Sequence, residues 1–144
     1  MVALTAAHDR GLLGGILISA ADLGKVGAMS RSEAVPFMAD NMEALAGVTP
    51  ESMADDLLAG AAKWRFEDAV PGLTRVPLLV MTSDDGLASH SDALIKAVRA
   101  KGNANVTTVH APTDHSWSDK RIALASAIVN WLQRLPRRSP ALME

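Results

Sequence analysis

Pro77-Leu78-Leu79-Val80-Met81-Thr82-Ser83-Asp84-Asp85-Gly86 is the stretch on which the fold turns. Its short, nearly unbroken apolar run, Leu78 to Thr82, lacks the spacing of a helix and reads as a strand buried on both faces, the pattern of a parallel sheet. The acidic pair and Gly86 mark a loop at its carboxyl end. Downstream, Ser89 with Asp92 three residues on predicts the start of a helix whose Leu94, Ile95 and Val98 share a face, and Lys101-Gly102 marks its end. Val106-Thr107-Thr108-Val109-His110 is the next strand, rich in β-branched residues. After the loop Thr113-Asp114-His115-Ser116-Trp117, Ser118-Asp119 is the expected cap of a last helix. There Ile122, Ala125, Val129 and Leu132 fall at three- and four-residue spacing, a single stripe expected to face the core, and Pro136 stops the helix.

Upstream, Gly15-Ile16-Leu17-Ile18-Ser19 repeats the pattern of a fully buried parallel strand. Met1 to His8 reads as helix with no N-cap, and Asp9-Arg10-Gly11 as a turn. Between residues 30 and 63, Ser30 or Ser32 caps a helix expected to run to Leu45 and end at Gly47, and Thr49-Pro50-Glu51 starts another. With Met29 just ahead of it, this section brings Met38, Met42 and Met53, together four of the chain's seven methionines. They suit either a gap-filling helical core or an adaptable lid over an apolar substrate. Strands alternating with helices imply right-handed crossovers and an α/β fold, with about three parallel strands between helical layers and a helical insertion. The chain divides into a first helix and strand (1–23), the insertion (24–70), a strand–helix–strand–loop–helix unit (71–135) and a tail (136–144). No internal repeat and no low-complexity linker is visible.

Composition narrows the class. The 144 residues are 49% hydrophobic and 21% charged, which suits one soluble globular unit rather than a disordered or fibrous chain. A net charge of −2, with a pI near 6.1, argues against phosphate-driven nucleic-acid binding. The one basic cluster, Arg134 with Arg137 and Arg138, reads as a solvated end. Zero cysteines exclude disulfides, thiolate metal sites and a cysteine nucleophile. No stretch approaches the ~18 apolar residues of a membrane span. The start has no basic region ahead of an apolar one, so it is no secretory signal and the chain as it stands reads as cytoplasmic, while an export signal on an upstream segment would leave the compartment unknown.

In a parallel α/β sheet, ligands gather at the carboxyl ends of the strands. Asp85 and His115 therefore share one rim, on the loops after neighbouring strands. A carboxylate accepting the Nδ1 proton of an imidazole fixes its tautomer and stabilises the imidazolium formed in proton transfer. Taken singly, Asp84 and Asp85 suit a helix-capping turn and His115 a loop histidine; order and topology together favour the chemical reading. His8 is expected to end the first helix, and His90 to be exposed in a helix's first turn. His110 has Asp114 or His115 within reach as a metal pair but no third ligand, so no metal and no cofactor is expected. Trp117 is expected to pack beside the His115 loop.

The strand and loop Pro77–Gly86, followed by a helix, resemble the acid-bearing segment of α/β-hydrolase serine enzymes, and Asp114-His115-Ser116-Trp117 resembles their terminal histidine segment. The nearest branch is the dienelactone hydrolase and prolyl-oligopeptidase-like one. The resemblance covers nearly the whole chain and implies a partial α/β-hydrolase fold. It makes Asp85 the orienting acid, ahead of Asp84, and His115 the general base, in the family's order of Ser, acid, His. The family's G-x-S-x-G elbow is absent: none of the eleven serines lies between two glycines in that way. By the resemblance, Met1–His8 follows the elbow and the chain begins a few residues after the nucleophile, without the oxyanion-hole amides.

That reading implies the C-terminal part of a serine hydrolase acting on a small-molecule ester or peptide by acyl transfer, inactive alone. It also predicts an open, apolar sheet edge that associates with a second copy or with a missing N-terminal half. The contrasting reading is a non-catalytic module that uses the same core and edge. A flavodoxin-like binding domain would leave the Asp/His placement to coincidence, and no glycine-rich phosphate loop follows a strand.

Overall fold

The structure, a computed structural model, describes residues 2–40, 42 and 45–136. The elements run α1 (Val2–His8), β1 (Gly15–Ile18), α2 (Leu23–Val26), α3 (Arg31–Ala39), α4 (Pro50–Gly60), a short 3-10 turn (Ala61–Lys63), α5 (Phe66–Leu73), β2 (Leu78–Ser83), α6 (Ala88–Ala100), β3 (Val106–Ala111) and α7 (Arg121–Leu132). The strands form one parallel sheet in the order β1-β2-β3, with Gly15 opposite Leu78 and Leu78 opposite Val106. This is a three-layer α/β architecture with additional helices.

β2 is buried at all six positions because it lies between two strands and two helical layers. Its side chains alternate between them, as a strand requires. Leu78 and Val80 join α1, α5 and α6 in one cluster with Leu73, Leu94 and Val98. Leu79 and Met81 face the other way, onto Trp117 and Trp131. Small residues let α1 and α5 meet backbone to backbone: a Cβ on Gly72 would fall on the carbonyl oxygen and Cα of Ala7. Residues of α2, α3 and α4 form a third cluster around Val26, Ala34, Met38, Ala54 and Leu57.

Several expectations from the sequence are corrected here. β1 is an edge strand rather than a fully buried one, with Leu17 buried and Ile18 38% exposed. Only its β2 side is paired: Gly15 and Ser19 donate to the carbonyls of Pro77 and Met81, so by alternation the main chain of Ile16 and Ile18 faces away from β2. α3 ends at Ala39, not Leu45. Pro36 has no N–H for the preceding turn, and the helix continues only three residues beyond it. Its start fits expectation, because the Ser30 N–H and hydroxyl both donate to Glu33. Thr49 likewise caps α4, its Oγ1 accepting from the Ser52 N–H.

α6 starts at Ala88, before Ser89, because Asp85 accepts the Leu87 N–H and Gly86 takes φ +82°. Ser118 and Asp119 do not cap α7; their bonds to Asp114 and Thr113 build the preceding loop. The largest correction concerns α7 itself. Ile122 is 85% exposed, Val129 50% and Leu132 48%, and the face that packs on the sheet is Leu124, Ala127, Ile128 and Trp131. α7 is apolar on both faces, so periodicity allowed either stripe, and the bulk of Trp131 decides which one is buried. Arg137, Arg138 and the rest of the tail after Pro136 lie outside the described residues.

Candidate functional site

Asp85 hangs from the loop after the central strand, its side chain only 5% exposed. Its Oδ1 accepts the Leu87 N–H at 2.9 Å, and its Oδ2 lies 2.8 Å from Nδ1 of His115. A carboxylate only accepts, so Nδ1 carries the proton and the lone pair of the neutral ring is left on Nε2. The His115 side chain is 62% exposed, and among the described residues its one hydrogen-bond partner is Asp85.

The loop carrying His115 is held by its own main chain and by its neighbour. Asp114 accepts the Ser118 N–H through its side chain and the Trp117 N–H through its carbonyl. The Thr113 hydroxyl donates to Asp119. The Asp84 N–H donates to the Thr113 carbonyl at 3.1 Å, so the two loops are joined directly. Trp117 is fully buried between the loop and α7 rather than lining a pocket, and its indole N–H donates to Ser19 Oγ at 3.1 Å. Ser19 Oγ is 2.9 Å from Ser83 Oγ. Among the described residues, no buried side-chain nitrogen or oxygen lacks a partner.

Burial pushes the Asp85 carboxyl up, yet the Leu87 N–H, the hydrogen bonds from His115 and Ser83, and the charge on His115 together hold it below the usual carboxylate range. The Ser118 N–H lowers Asp114, and the Thr113 hydroxyl lowers Asp119. A carboxylate depressed by folding contributes stability that is complete above its unfolded value near ~4 and is lost as pH falls through the lower folded value. Urea midpoints should therefore fall below about pH 4, and more gently in Asp85→Asn, whose side chain has no proton to take up.

The remaining histidines have other partners. His110 pairs with the Thr82 hydroxyl through Nδ1 at 3.0 Å, and its Nε2 lies 3.2 Å from an Asp84 carboxylate oxygen rather than beside Asp114 or His115. Among the described residues no three His, Asp or Glu side chains cluster as a metal set. His90 is half-buried rather than exposed, its Nδ1 accepting the N–H of Asp22 at 3.2 Å. His8 sits exposed in the last turn of α1, as expected.

Beside His115 opens an apolar cavity of about 420 Å³, walled by Leu23, Val26, Phe37, Met53 and Trp64. Helices α2 to α4 supply most of this wall, so the methionine-rich section both packs a core and lines a cavity. Another cleft, bounded by Pro77, Trp131 and Leu135, lies at the amino ends of the strands, away from the Asp85–His115 pair. No helix among the described residues is long and apolar enough to cross a membrane.

The bonds through Ser19, Ser83 and Trp117 were not foreseen from sequence. The available signal was a serine at the end of each of two neighbouring apolar strands. Comparison with family models, with curated proteins and with solved structures finds no match to this chain.

Proposed function

We propose that this chain supplies the acid and base of a serine-type hydrolase that cleaves esters or peptides by acyl transfer. The observation that carries the reading is the 2.8 Å contact between Asp85 and His115 at the carboxyl edge of a parallel sheet. His115 takes the proton of an attacking hydroxyl at Nε2 and returns it to the leaving group, while Asp85 holds the ring and balances its charge. The cavity beside His115 favours a substrate with a neutral, apolar group next to the scissile bond, which fits an ester better than a charged peptide.

The attacking hydroxyl is the part of the reading that these 144 residues do not supply, since they hold no G-x-S-x-G. The test joins the chain to the coding sequence read in frame ahead of Met1 and treats the product with a serine-reactive phosphonate. Labelling at a G-x-S-x-G serine, lost in His115→Ala, is expected, and the 144-residue chain alone is expected to stay unlabelled. An in-frame stop with no such motif upstream would remove the reading.

A second reading is favoured by a separate observation. The exposed Ile122, Val129 and Leu132 of α7, with Ile18 on the open edge of β1, suit a non-catalytic module that docks a second copy or another chain. Concentration-dependent sedimentation together with no phosphonate labelling in any form of the protein would favour it.

A further inference from the structure

His115 lies in the middle of a turn that is clamped at both ends. Two residues before it, the Thr113 carbonyl accepts the Asp84 N–H at 3.1 Å, which ties the turn to the loop after β2. Two residues after it, the Trp117 indole N–H donates to Ser19 Oγ at 3.1 Å, which ties the turn to the end of β1. Between the clamps, the Trp117 main-chain N–H closes the turn on the Asp114 carbonyl. The imidazole has one hydrogen-bond partner among the described residues, Asp85, and its side chain is 62% exposed, so the turn rather than packing sets where the ring sits.

The second clamp is the strained one. Trp117 has φ 56° and Ser19 φ 45°, the two left-handed non-glycine residues among the described ones. Side chains disfavour this conformation, and it persists only where the surroundings impose it. The two strained residues are the two ends of one bond, at 1% and 6% exposure. An indole N–H only donates and a hydroxyl oxygen has two lone pairs. Ser19 therefore accepts from Trp117 whichever way the hydroxyls of Ser19 and Ser83, 2.9 Å apart, share their proton. Ser19 is fixed in turn, because its N–H donates to the Met81 carbonyl of β2 at 2.9 Å. Without an acceptor, the buried indole N–H would bear its full desolvation penalty, which is relieved by moving Trp117 and the turn with it.

We propose that the Trp117–Ser19 bond is a latch that holds the His115 turn in a strained register against the Asp85 loop, which makes Trp117 and Ser19 positioning residues of the pair. Its use in catalysis rests on the hydrolase reading; the latch does not. Opening it releases the left-handed backbone at Trp117, and the turn carries the imidazole away from Asp85. The Nδ1 proton then loses its acceptor, and the ring is free to hold its proton on either nitrogen.

The test reads the imidazole nitrogens of His115 by NMR on the 144-residue chain, at a pH where the ring is neutral, beside urea midpoints. In the parent the proton is expected on Nδ1. Ser19→Gly removes the acceptor yet suits φ 45°, so the lost bond and the relieved strain offset and stability changes little. Trp117→Phe breaks the same bond, keeps most of the bulk and relieves no strain, so it is the less stable of the two. Both are nonetheless expected to raise the share of the Nε2-protonated ring by the same factor, about fivefold, the scale of one hydrogen bond. The double variant should raise it no further, since only one bond is there to lose.

A His115 signal in Ser19→Gly identical to the parent's, changes that follow stability rather than the bond, or two changes that multiply in the double variant would overturn the latch. No turnover is measured, so none of these outcomes touches the hydrolase reading, which stands or falls on the phosphonate-labelled serine.

Discussion

Asp85→Asn, made in the form of the protein that carries the attacking hydroxyl, is expected to reduce turnover of an activated ester about 10⁴-fold with little change in KM. An amide in place of the carboxylate can turn its NH₂ toward Nδ1, which moves the ring proton to Nε2 and removes the lone pair that must accept the hydroxyl proton. It also withdraws the negative charge that stabilises the imidazolium. His115→Ala should cost at least as much, and the double variant no more than the larger single one, because the two side chains act as a unit. Steady-state kinetics on both single variants and the double decides this. A loss below tenfold in Asp85→Asn would mean that the 2.8 Å contact holds the loop rather than the reaction.

The second large effect is on stability. Trp117→Ala should lower the free energy of unfolding by about 3–5 kcal/mol, since it empties a site that is 1% exposed and packed against Leu79, Met81 and Trp131. A domain of this size is typically stable by only ~5–15 kcal/mol, so this variant approaches the unfolding limit. Trp117→Phe keeps most of the bulk and loses only the indole N–H, with an expected cost of about 1–2 kcal/mol. Urea denaturation of the two variants separates the packing contribution from the hydrogen bond. A Trp117→Ala chain as stable as the parent would contradict the packing described for α7.

The strands were legible in the sequence as short apolar or β-branched runs bounded by turn residues, and in the central one Leu78 to Met81 are apolar without a break, as burial on both faces requires. Asp85 and His115 were legible for a topological reason: loops after adjacent parallel strands must meet at one rim. Helix starts were legible only where a side chain does the capping, as at Ser30 and Thr49. The starts of α6 and α7 were displaced by local bonds outside the expected caps: Asp85 accepts the Leu87 N–H two residues on, and Asp119 is held by Thr113 within the preceding loop. The choice between two apolar faces of α7 was not legible at all, because it depends on which stripe finds a cavity the size of Trp131. The hydrogen bonds from Trp117 to Ser19 and between Ser19 and Ser83 were hidden for a related reason, since these partners are 98 and 64 positions apart in the chain.

Asp85 extends from β2, which has a strand on either side and is buried throughout, whereas His115 follows β3, a border strand with half of its residues exposed and only Val106 fully buried. Local opening begins where fewest contacts must be broken, so amide exchange should be faster across Val106–Ala111 than across Leu78–Ser83. When the protein breathes, the imidazole will swing out while the carboxylate keeps its place. The contact between Asp85 and His115 would then be lost on warming before the sheet itself.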